Sequence, residues 1–379
     1  MKLSIVTPSF RQARTLGQTI ESALSQEGDF EIEYFVMDGG SSDGSVDVIR
    51  DFERRLQAGA YAGRCRGVDF QWVSESDRGQ TDAINKGLRR ASGDICAYLN
   101  SDDAYLPATF QKITELFAAN PRAQFIYGDG DVIDESGEVQ WEWRSRAYDY
   151  DVITSYDTLG DAFTNYIMQP AVFWRAEVHR KIGLFDETFH YSMDLEYWTR
   201  AGHAGLRLLH VPEKLAQFRI APGTKSLSSP TVFWPENLEI FRRYRPGGLP
   251  RALAFYYYNV ARLRDFDLDA AFAEADGAVE RWDALPPKDV RRLRSQMAAG
   301  AALACCLCGS ALLRAGREAR AMEALRRGLS RKPALILHPS ALVVLLKRAA
   351  GRRFASALDS LVSRLVLLCH KNPEPQKGQ

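Results

Sequence analysis

Short β-branched segments alternate with turns and helical segments through the first part of the chain. Strand-like runs cover residues 3–7, 34–37, 70–73 and 94–99, and helical patterns lie between them at residues 13–25, 46–56 and 81–91. This alternation is typical of βαβ units, which form a parallel sheet with helices on both faces. The sequence therefore predicts an α/β, Rossmann-like fold whose sheet is mostly parallel.

A cluster of polar residues follows each predicted strand. The four clusters are residues 7–10, 38–43, 75–82 and 100–103. In open α/β sheets, ligands bind beyond the carboxyl ends of the strands. We therefore expect the four clusters to converge on one rim of the sheet and to form a single ligand site.

The composition changes after residue 246. The stretch that follows is rich in Ala, Leu and Arg, contains few strand-forming residues and shows helical periodicity. Residues 316–333 look like part of a helical-hairpin repeat, although one copy does not establish a repeat array. We expect three segments, namely an α/β domain at residues 1–245, an α-helical C-terminal region at 246–371 and a flexible tail at 372–379.

Charge is distributed unevenly along the 379 residues. The net charge is −9 over residues 1–250 and +10 over residues 251–379, which together give the net +1 of the whole chain. An acidic first part argues against nucleic acid as the main partner, because phosphate backbones attract basic surfaces. The basic C-terminal region has two interpretations, contact with an anionic membrane surface or solvated, arginine-rich helix faces.

Six cysteines are present, and three of them crowd into the apolar stretch at residues 304–309. Their spacing fits no zinc signature, so we expect buried free thiols, which suit a reducing cytoplasm. The N-terminal residues are too poor in apolar side chains for a signal peptide, and no uninterrupted apolar run reaches the roughly 18 residues of a membrane span. The predicted location is the cytoplasm, with peripheral contact at the inner face of the membrane as an option.

Two adjacent carboxylates, Asp102 and Asp103, follow the fourth predicted strand, directly after Asn100 and Ser101. Carboxylate oxygens are suitable ligands for Mg²⁺ or Mn²⁺, especially where a diphosphate supplies further oxygens. The alternative is a helix N-cap, since Ser and Asp cap helices well. The motif alone does not decide between a metal site and a cap.

Two further clusters are rich in groups that can contact a nucleoside. Asp38 opens a Gly- and Ser-rich turn at residues 38–44, where it can accept hydrogen bonds from a base or ribose or simply shape the turn. Asp77 is a second nucleoside candidate, and Asp82 either caps the following helix or lines the pocket. Neither a dinucleotide fingerprint nor a phosphate-binding loop with Gly-Lys-Ser/Thr is present in the sequence.

Asp194 and Glu196 lie in the acidic and aromatic stretch at residues 185–200. On a helix, residues two apart point about 200° apart, so the two carboxylates cannot face the same ligand. One can act as a base that takes a proton from a hydroxyl, while the other caps the helix or pairs with Arg200. The alternative is a surface helix with ordinary charges.

Taken together, these segments resemble the family 2 glycosyltransferases, which are inverting enzymes with a GT-A fold, and in particular the bacterial members that assemble polysaccharides. The resemblance covers about residues 1–245. The motifs that carry it are residues 2–10, 38–45, 77–87, 100–103, 169–175 and 183–187. Their order and spacing along the chain make the combination specific.

The resemblance implies roles for individual residues. Asp194 would be the catalytic base, with Glu196 in reserve, and Asp102 and Asp103 would hold the ribose and a Mn²⁺ or Mg²⁺ ion. The nucleotide-sugar site would then comprise Thr7, Pro8, Asp38, Asp77, Asp82, Asn100, Asp102 and Arg219. The implied donor is a nucleoside-diphosphate sugar, with UDP as its first candidate, and the implied acceptor is a glycan or a lipid-linked hydroxyl.

Two positions depart from the family pattern. Asn100 stands where an acidic residue is usual, and Ala221 stands where relatives often carry His, which leaves Arg219 or Lys225 to supply positive charge to a diphosphate. These departures motivate an alternative function, a catalytically silent relative that binds nucleotide sugars and acts as a scaffold through its helical C-terminal region. A nucleotidyltransferase is disfavoured, because residues 9–14 after the first strand lack the glycines of its loop.

Overall fold

The computed structural model describes residues 1–154, 165–221, 224–225, 232–279, 287–338, 340–342 and 344–345. The predicted tail at residues 372–379 and the end of the predicted helical region lie outside these residues. The chain divides into two compact units, Met1–Ile240 and Phe241–Gln379.

The first unit is built on one sheet, to which the described residues contribute nine strands. In chain order they are β1 (Lys2–Ser9), β2 (Glu31–Asp38), β3 (Gly67–Ser74), β4 (Ile95–Tyr98), β5 (Ala104–Tyr105), β6 (Phe125–Ile133), β7 (Val139–Trp143), β8 (Val172–Arg175) and β9 (Leu208–Arg219). Strand β1 is buried from Leu3 to Ser9, as expected for a central parallel strand covered on both faces.

The strand order is β3-β2-β1-β4-β8-β6-β9-β5, with β7 paired to β6. The first four strands are parallel, and they are the four predicted from the sequence. Strand β8 runs antiparallel to both β4 and β6, β9 is parallel to β6, and β5 and β7 add antiparallel pairs. The α/β fold class is confirmed, and the second half of the sheet is mixed rather than mostly parallel.

Helices connect the strands and continue past the sheet. They are α1 (Leu16–Leu24), α2 (Ser45–Gln57), α3 (Gln80–Leu88), α4 (Thr109–Ala119), α5 (Tyr150–Ile153), α6 (Glu177–Ile182), α7 (Met193–His203) and α8 (Trp234–Tyr244). The first three helices lie between the parallel strands and agree with the predicted helical patterns within a few residues.

The second unit is helical throughout its described part, as the composition predicted. Its long helices are α9 (Leu249–Leu263), α10 (Leu268–Val279), α11 (Pro287–Arg314) and α12 (Glu318–Arg331). Helices α9 and α11 approach closely at Gly300, where an added Cβ would lie 2.7 Å from the Cβ of Leu253. Cys305, Cys306 and Cys308 are buried free thiols in α11, as expected.

Helix α11 is a candidate membrane-spanning segment by its length and composition. Its part from Lys288 to Arg314 is long and apolar enough to cross a membrane by length and composition, and its most apolar window has a mean hydropathy of 1.7. The search for an uninterrupted apolar run missed it, because polar residues such as Ser310 lie within it. Half of its most apolar window is buried inside the protein, as in the core helix of a soluble protein, so this helix is weak evidence for a span.

A buried carboxylate fixes the amino ends of the central strands. Glu33 in β2 is 3% exposed and accepts hydrogen bonds from Lys2 Nζ at 2.8 Å, from the Ser4 hydroxyl and from both the backbone N–H (2.8 Å) and the hydroxyl (2.7 Å) of Ser92. Although burial opposes it, these donors together lower the pKa of Glu33 from 4.5 to about 2. The ionised carboxylate therefore joins β1, β2 and the turn before β4.

We predict that Glu33→Gln lowers the free energy of unfolding by on the order of 2–3 kcal/mol at pH 7. Because the pKa of Glu33 is depressed in the folded chain, this contribution is fully present above pH 4.5 and is lost as the pH falls towards about 2. Urea unfolding at several pH values measures the difference. Glu31→Gln, at an exposed position of the same strand, is the matched control, and equal effects of the two substitutions would contradict the assignment.

Candidate active site

Hydrogen bonds join the polar clusters at the carboxyl ends of β1 to β4 into one rim. The backbone N–H of Arg11 donates to the Ser41 hydroxyl at 2.7 Å, and the Ser74 hydroxyl donates to Asp38 at 2.6 Å. The Gln80 side chain donates to Asn100 at 2.6 Å. The predicted convergence of four clusters on one site is therefore present in the structure.

Asp38 organises the turn after β2. Its carboxylate accepts the backbone N–H groups of Gly40 (3.1 Å) and Ser41 (2.9 Å) and the hydroxyls of Ser41 and Ser74, both at 2.6 Å. Asp38 is only 2% exposed. The carboxylate predicted to contact a nucleoside is thus engaged by four donors of its own protein, and it shapes the turn.

Gly39 lets this turn lie against Asp77 and Phe10. An added Cβ at Gly39 would lie 2.7 Å from Asp77 Oδ2 and 3.2 Å from Phe10 Cδ2, so a side chain is excluded there. Asp77 Oδ1 accepts the backbone N–H of Gly79 at 2.8 Å. Phe10 is 54% exposed. Sequence reasoning did not single out Phe10, although an aromatic residue directly after a buried strand, inside a polar cluster, was a usable signal.

Thr7 and Pro8 belong to the buried carboxyl end of β1. The Thr7 hydroxyl shares a hydrogen bond with the Tyr34 hydroxyl at 2.9 Å, and Pro8 lies opposite Met37 of β2. Both predicted pocket residues are buried. They position the strand end from which Ser9 and Phe10 emerge.

Helix α3 connects the rim to a distant part of the chain. Asp82, in its first turn, accepts the backbone N–H of Arg78 at 3.1 Å and the Arg78 guanidinium at 2.9 Å, which lowers the pKa of Asp82. Arg78 also binds Glu187, and Asn85 exchanges hydrogen bonds of 2.9 and 3.1 Å with the backbone of Phe185. Asp82 was predicted to line a ligand pocket or cap the helix, and in the structure its carboxylate binds Arg78, the residue before the Gly79 N-cap.

Asn100 is the centre of an amide network. Its Nδ2 donates to Gln169 Oε1 at 2.9 Å and to Asp103 Oδ2 at 3.2 Å, while its Oδ1 accepts from Gln80 at 2.6 Å. Gln169 in turn donates to the Tyr98 carbonyl at 3.0 Å. An aspartate at position 100 could not donate to either acceptor and would place a second charge beside Asp103. The two acceptors beside position 100 therefore suit the amide of Asn100 better than the acidic residue that is usual in the family.

The two adjacent aspartates have different environments. Asp103 is 1% exposed and accepts the backbone N–H of Arg219 at 2.9 Å as well as the Asn100 amide. Burial and the neighbouring Asp102 raise the pKa of Asp103 well above its usual value. Asp102 is more accessible, and no side-chain or backbone donor from another described residue binds its carboxylate. Burial raises the pKa of Asp102 as well.

Arg219 is 3% exposed and its guanidinium is committed to oxygens of the protein. It donates to the carbonyls of Asp102 (2.9 Å), Asp134 (2.8 Å) and Glu135 (3.2 Å) and to the Gln18 side chain at 2.6 Å. The structure thus places this residue inside the fold, in contrast to the expected contact with a nucleotide sugar.

Lys225 is the other candidate cation in this stretch. Its Nζ donates to Gln80 Oε1 and to the His190 carbonyl, both at 2.9 Å, and lies 5.5 Å from the centre of the Tyr191 ring. Through Gln80 it is connected to the amide network around Asn100. Lys225 is therefore the better placed of the two for a ligand at the rim.

Asp194 and Glu196 face different surroundings, as their spacing predicts. Asp194, in the first turn of α7, is half-buried and accepts the Asn165 amide at 2.7 Å. Burial raises the pKa of Asp194 to about 6. Glu196 is 1% exposed and forms an ion pair of 2.8 Å with Arg200. Glu196 is thus held in an internal pair, whereas Asp194 has the properties of a base.

The approach to α7 is fixed by Glu236, which the sequence analysis did not identify. Its carboxylate accepts the backbone N–H groups of His190 (2.8 Å), Tyr191 (2.8 Å) and Ser192 (2.7 Å). Three consecutive N–H groups directed at one carboxylate are a strong anchor for a helix start. Nothing in the sequence around Glu236 marks it, because its partners lie more than forty residues earlier.

The described residues contain no group of three or more His, Cys, Asp or Glu side chains placed to hold a metal ion. A Mg²⁺ or Mn²⁺ site that is completed by substrate phosphates needs only one or two protein carboxylates. Asp102 fits that requirement, because it is only half-buried and no other described residue donates to its carboxylate, whereas the Asp103 carboxylate is buried and binds Asn100 and the backbone of Arg219.

The arrangement of strands and rim is that of the GT-A class of fold. The crystal structure of S. aureus TarS is similar, with a TM-score of 0.50 and 16% identity, covering 80% of this chain and 55% of that one. This similarity concerns the fold alone. Residues 4–183 match the family model for glycosyl transferase family 2. The chain is thus similar to the family 2 glycosyltransferases over a little under half of its length.

Curated relatives are similar over parts of their length. An uncharacterized glycosyltransferase of Mycobacterium tuberculosis is 36% identical over 129 residues, which are 34% of this chain and 44% of the relative. An uncharacterized glycosyltransferase of Nostoc sp. is 31% identical over 117 residues, 31% of this chain and 33% of the relative. The chain thus spans a third to less than half of these relatives. A PGL/p-HBAD biosynthesis glycosyltransferase of M. tuberculosis is 26% identical over 196 residues, 51% of this chain and 67% of the relative.

We predict that Arg219→Met lowers the free energy of unfolding by about 2–4 kcal/mol, because three backbone carbonyls and the Gln18 side chain lose the donor that a buried guanidinium supplies. Chemical denaturation measures this loss. Arg14→Met is the control, since Arg14 is 86% exposed and makes a single ion pair of 3.7 Å. A fully stable Arg219→Met protein that no longer binds nucleotide would show instead that Arg219 faces the ligand.

Proposed function

We propose that the first unit transfers a sugar from a nucleoside-diphosphate sugar to a hydroxyl of a glycan or lipid-linked acceptor, with inversion at the anomeric carbon. The observation that carries the proposal is the position of Asp194. Lys225 binds both Gln80, which donates to Asn100, and the carbonyl of His190, which lies just before the helix that carries Asp194. Burial raises the pKa of the Tyr98 hydroxyl, and the charges of Asp194 and Asp103 raise it further, so both carboxylates act on the same buried group. A base and a candidate diphosphate site at one rim suit a direct displacement.

On the donor side, we assign the nucleoside to the surface formed by Phe10, Gly39 and Asp77. The exposed Phe10 ring offers a stacking face, and Asp77 Oδ2 can accept hydrogen bonds from the base or ribose. Asp38, Thr7 and Pro8 support this surface from behind. The resemblance to the family makes UDP the first candidate nucleotide.

At the diphosphate, we assign Asp102 as the protein ligand of a Mn²⁺ or Mg²⁺ ion. When bound, the cation neutralises charge that develops on the leaving diphosphate. Asp103 keeps the loop in place through its bonds to Arg219 and Asn100. Lys225 supplies further positive charge at the same end of the site.

On the acceptor side, Asp194 takes the proton of the attacking hydroxyl. The hydroxyl oxygen forms a bond to the anomeric carbon while the bond from that carbon to the diphosphate oxygen breaks, so one displacement inverts the configuration. A base is most effective when its pKa lies near the working pH, and the pKa of Asp194, about 6, leaves it ionised at neutral pH.

The alternative remains a catalytically silent relative that binds nucleotide sugars, which Asn100 at the usual acidic position motivates. This alternative predicts binding of a nucleoside diphosphate without sugar transfer or donor hydrolysis. The cytoplasmic location and peripheral membrane contact through the basic C-terminal region stay predictions.

We expect one nucleoside diphosphate, UDP first, to raise the melting temperature of the full chain in the presence of Mn²⁺, because a ligand selective for the folded state stabilises it. Asp102→Asn should keep its own melting temperature and lose the metal-dependent part of the shift. Asp103→Asn should melt at a lower temperature, because an amide nitrogen would oppose the Asn100 or Arg219 donors. The absence of a shift with UDP, GDP, TDP, ADP and CDP would contradict the donor site.

For Asp194→Asn, we predict a loss of turnover of about 10²- to 10⁴-fold with the nucleotide shift retained. In the wild type, kcat/KM should fall as the pH decreases through about 6. Glu196→Gln is the matched comparison, and it should act mainly on stability. If Asp194→Asn stays fully active, the base has been assigned to the wrong residue.

The Asp194→Asn substitution should also change how the stability of the protein depends on pH. The pKa of Asp194 rises from 3.8 to about 6 in the folded chain, so its ionisation between these pH values opposes folding. The stability of Asp194→Asn relative to the wild type should therefore rise by on the order of 1–3 kcal/mol between pH 3.8 and pH 7.5. Denaturation at a series of pH values measures this change, which is separate from any constant loss caused by an amide nitrogen facing the Asn165 or Leu195 donor.

A further inference from the structure

Asn165 makes a direct contact with the candidate base. Its Nδ2 donates to Asp194 Oδ2 at 2.7 Å, a distance typical of a hydrogen bond to an ionised carboxylate. The other oxygen, Oδ1, accepts the backbone N–H of Leu195 at 2.7 Å. Each carboxylate oxygen thus has one donor, and each keeps a lone pair for an incoming proton.

The orientation of the Asn165 amide follows from its second contact. Its Oδ1 accepts the backbone N–H of Ile167 at 3.3 Å, so the carbonyl end is turned towards the main chain. The NH₂ end must then face Asp194. An amide rotated by 180° would place an NH₂ group against an N–H and a carbonyl against a carboxylate.

The neighbouring residue holds this segment in place. The Tyr166 carbonyl accepts the indole N–H of Trp143 in β7 at 3.2 Å, and its hydroxyl accepts the backbone N–H of Asp149 at 2.9 Å. The Arg146 guanidinium lies 4.5 Å from the centre of the Tyr166 ring. Contacts from three places along the chain therefore fix the backbone next to Asn165.

We propose that Asn165 is a positioning residue that holds the carboxylate of Asp194 towards the acceptor hydroxyl and favours its ionised form. This inference rests on the proposed function, since it takes Asp194 to be the general base. It adds a residue that the family resemblance did not mark. The geometry carries it, because the Asn165 amide is the side chain among the described residues that donates to this carboxylate, and its other described donors are backbone N–H groups.

The charges around Asp194 make this donor important. Burial raises the pKa of Asp194, and so does the negative charge of Glu236, a residue of α8 whose carboxylate binds the backbone just before α7. Tyr98, in β4, is fully buried and remains a neutral phenol, because burial and Asp194 itself raise its pKa. Of the main influences on Asp194, the Asn165 amide is the one side chain that lowers the pKa, alongside backbone N–H groups.

The test is the pH profile of kcat/KM for donor hydrolysis by the full chain, with UDP-sugars as donors, or with the sugars of whichever nucleoside diphosphate raises the melting temperature. Asn165→Ala removes one hydrogen bond to a charged acceptor, so the acid limb should move up by about one pH unit. Its rate should fall most near pH 6.5 and recover above pH 8, while KM for the donor is unchanged. Asn165→Asp should move the limb further, because two adjacent carboxylates share a proton.

Asn165→Gln retains the donor but displaces it, so it should lower kcat with little change in the position of the acid limb. Asn120→Ala is the matched control, since the Asn120 amide donates only to the Leu116 carbonyl at the end of α4. It should leave the pH profile in place. If Asn165→Ala folds poorly, the Gln and Asp variants carry the test.

A second readout does not need activity. The stability difference between Asp194→Asn and wild type, followed against pH, titrates Asp194 in the folded chain, and adding Asn165→Ala to both proteins should move that titration to higher pH. An unmoved titration, or an equal loss of rate at every pH, overturns the proposal. Full activity of Asp194→Asn would overturn the assignment of the base instead, and this titration would still report on the Asn165 contact.

Discussion

The bond between the buried carboxylate of Asp103 and the backbone of Arg219 is the contact on which the site depends. It ties the loop after β4 to the end of β9, and the Arg219 guanidinium extends the tie to the β6–β7 turn and to α1. Asp102 projects from this fixed loop. The proposed diphosphate ligand therefore stands on a loop that is held by a buried carboxyl group and by main chain, so little reorganisation is needed when a ligand arrives.

Much of the first half of the fold follows from the sequence, because parallel strands and their helices alternate locally and each carries its own pattern. The strands at Lys2–Ser9, Glu31–Asp38 and Gly67–Ser74 were predictable for that reason. The antiparallel additions were not. Strand β5 has two residues and exists through its pairing with β9, more than a hundred positions away, so no local pattern could reveal it.

The location of the candidate site could be predicted from the sequence, whereas the contacts of its individual residues could not. Many of its charged residues satisfy one another, since Asp82 binds Arg78, Glu196 binds Arg200 and Asp38 binds its own turn. A sequence shows that such groups are close, but not which of them remain available. Asn165 and Glu236 were missed for the opposite reason, because their partners lie far along the chain and neither belongs to a charged motif.

Helix α3 has a consequence for anyone who wishes to alter this protein. It links the loop at residues 75–79, on the nucleoside side, to the backbone around Phe185 and Glu187, which leads into the helix that carries Asp194. Replacing the first loop would remove Arg78, one of the donors that hold Glu187, and so would weaken the contact with the segment before α7 as well. Residues 75–79 and the segment around Phe185 and Glu187 are therefore coupled, and an exchange of loops between relatives should replace both together.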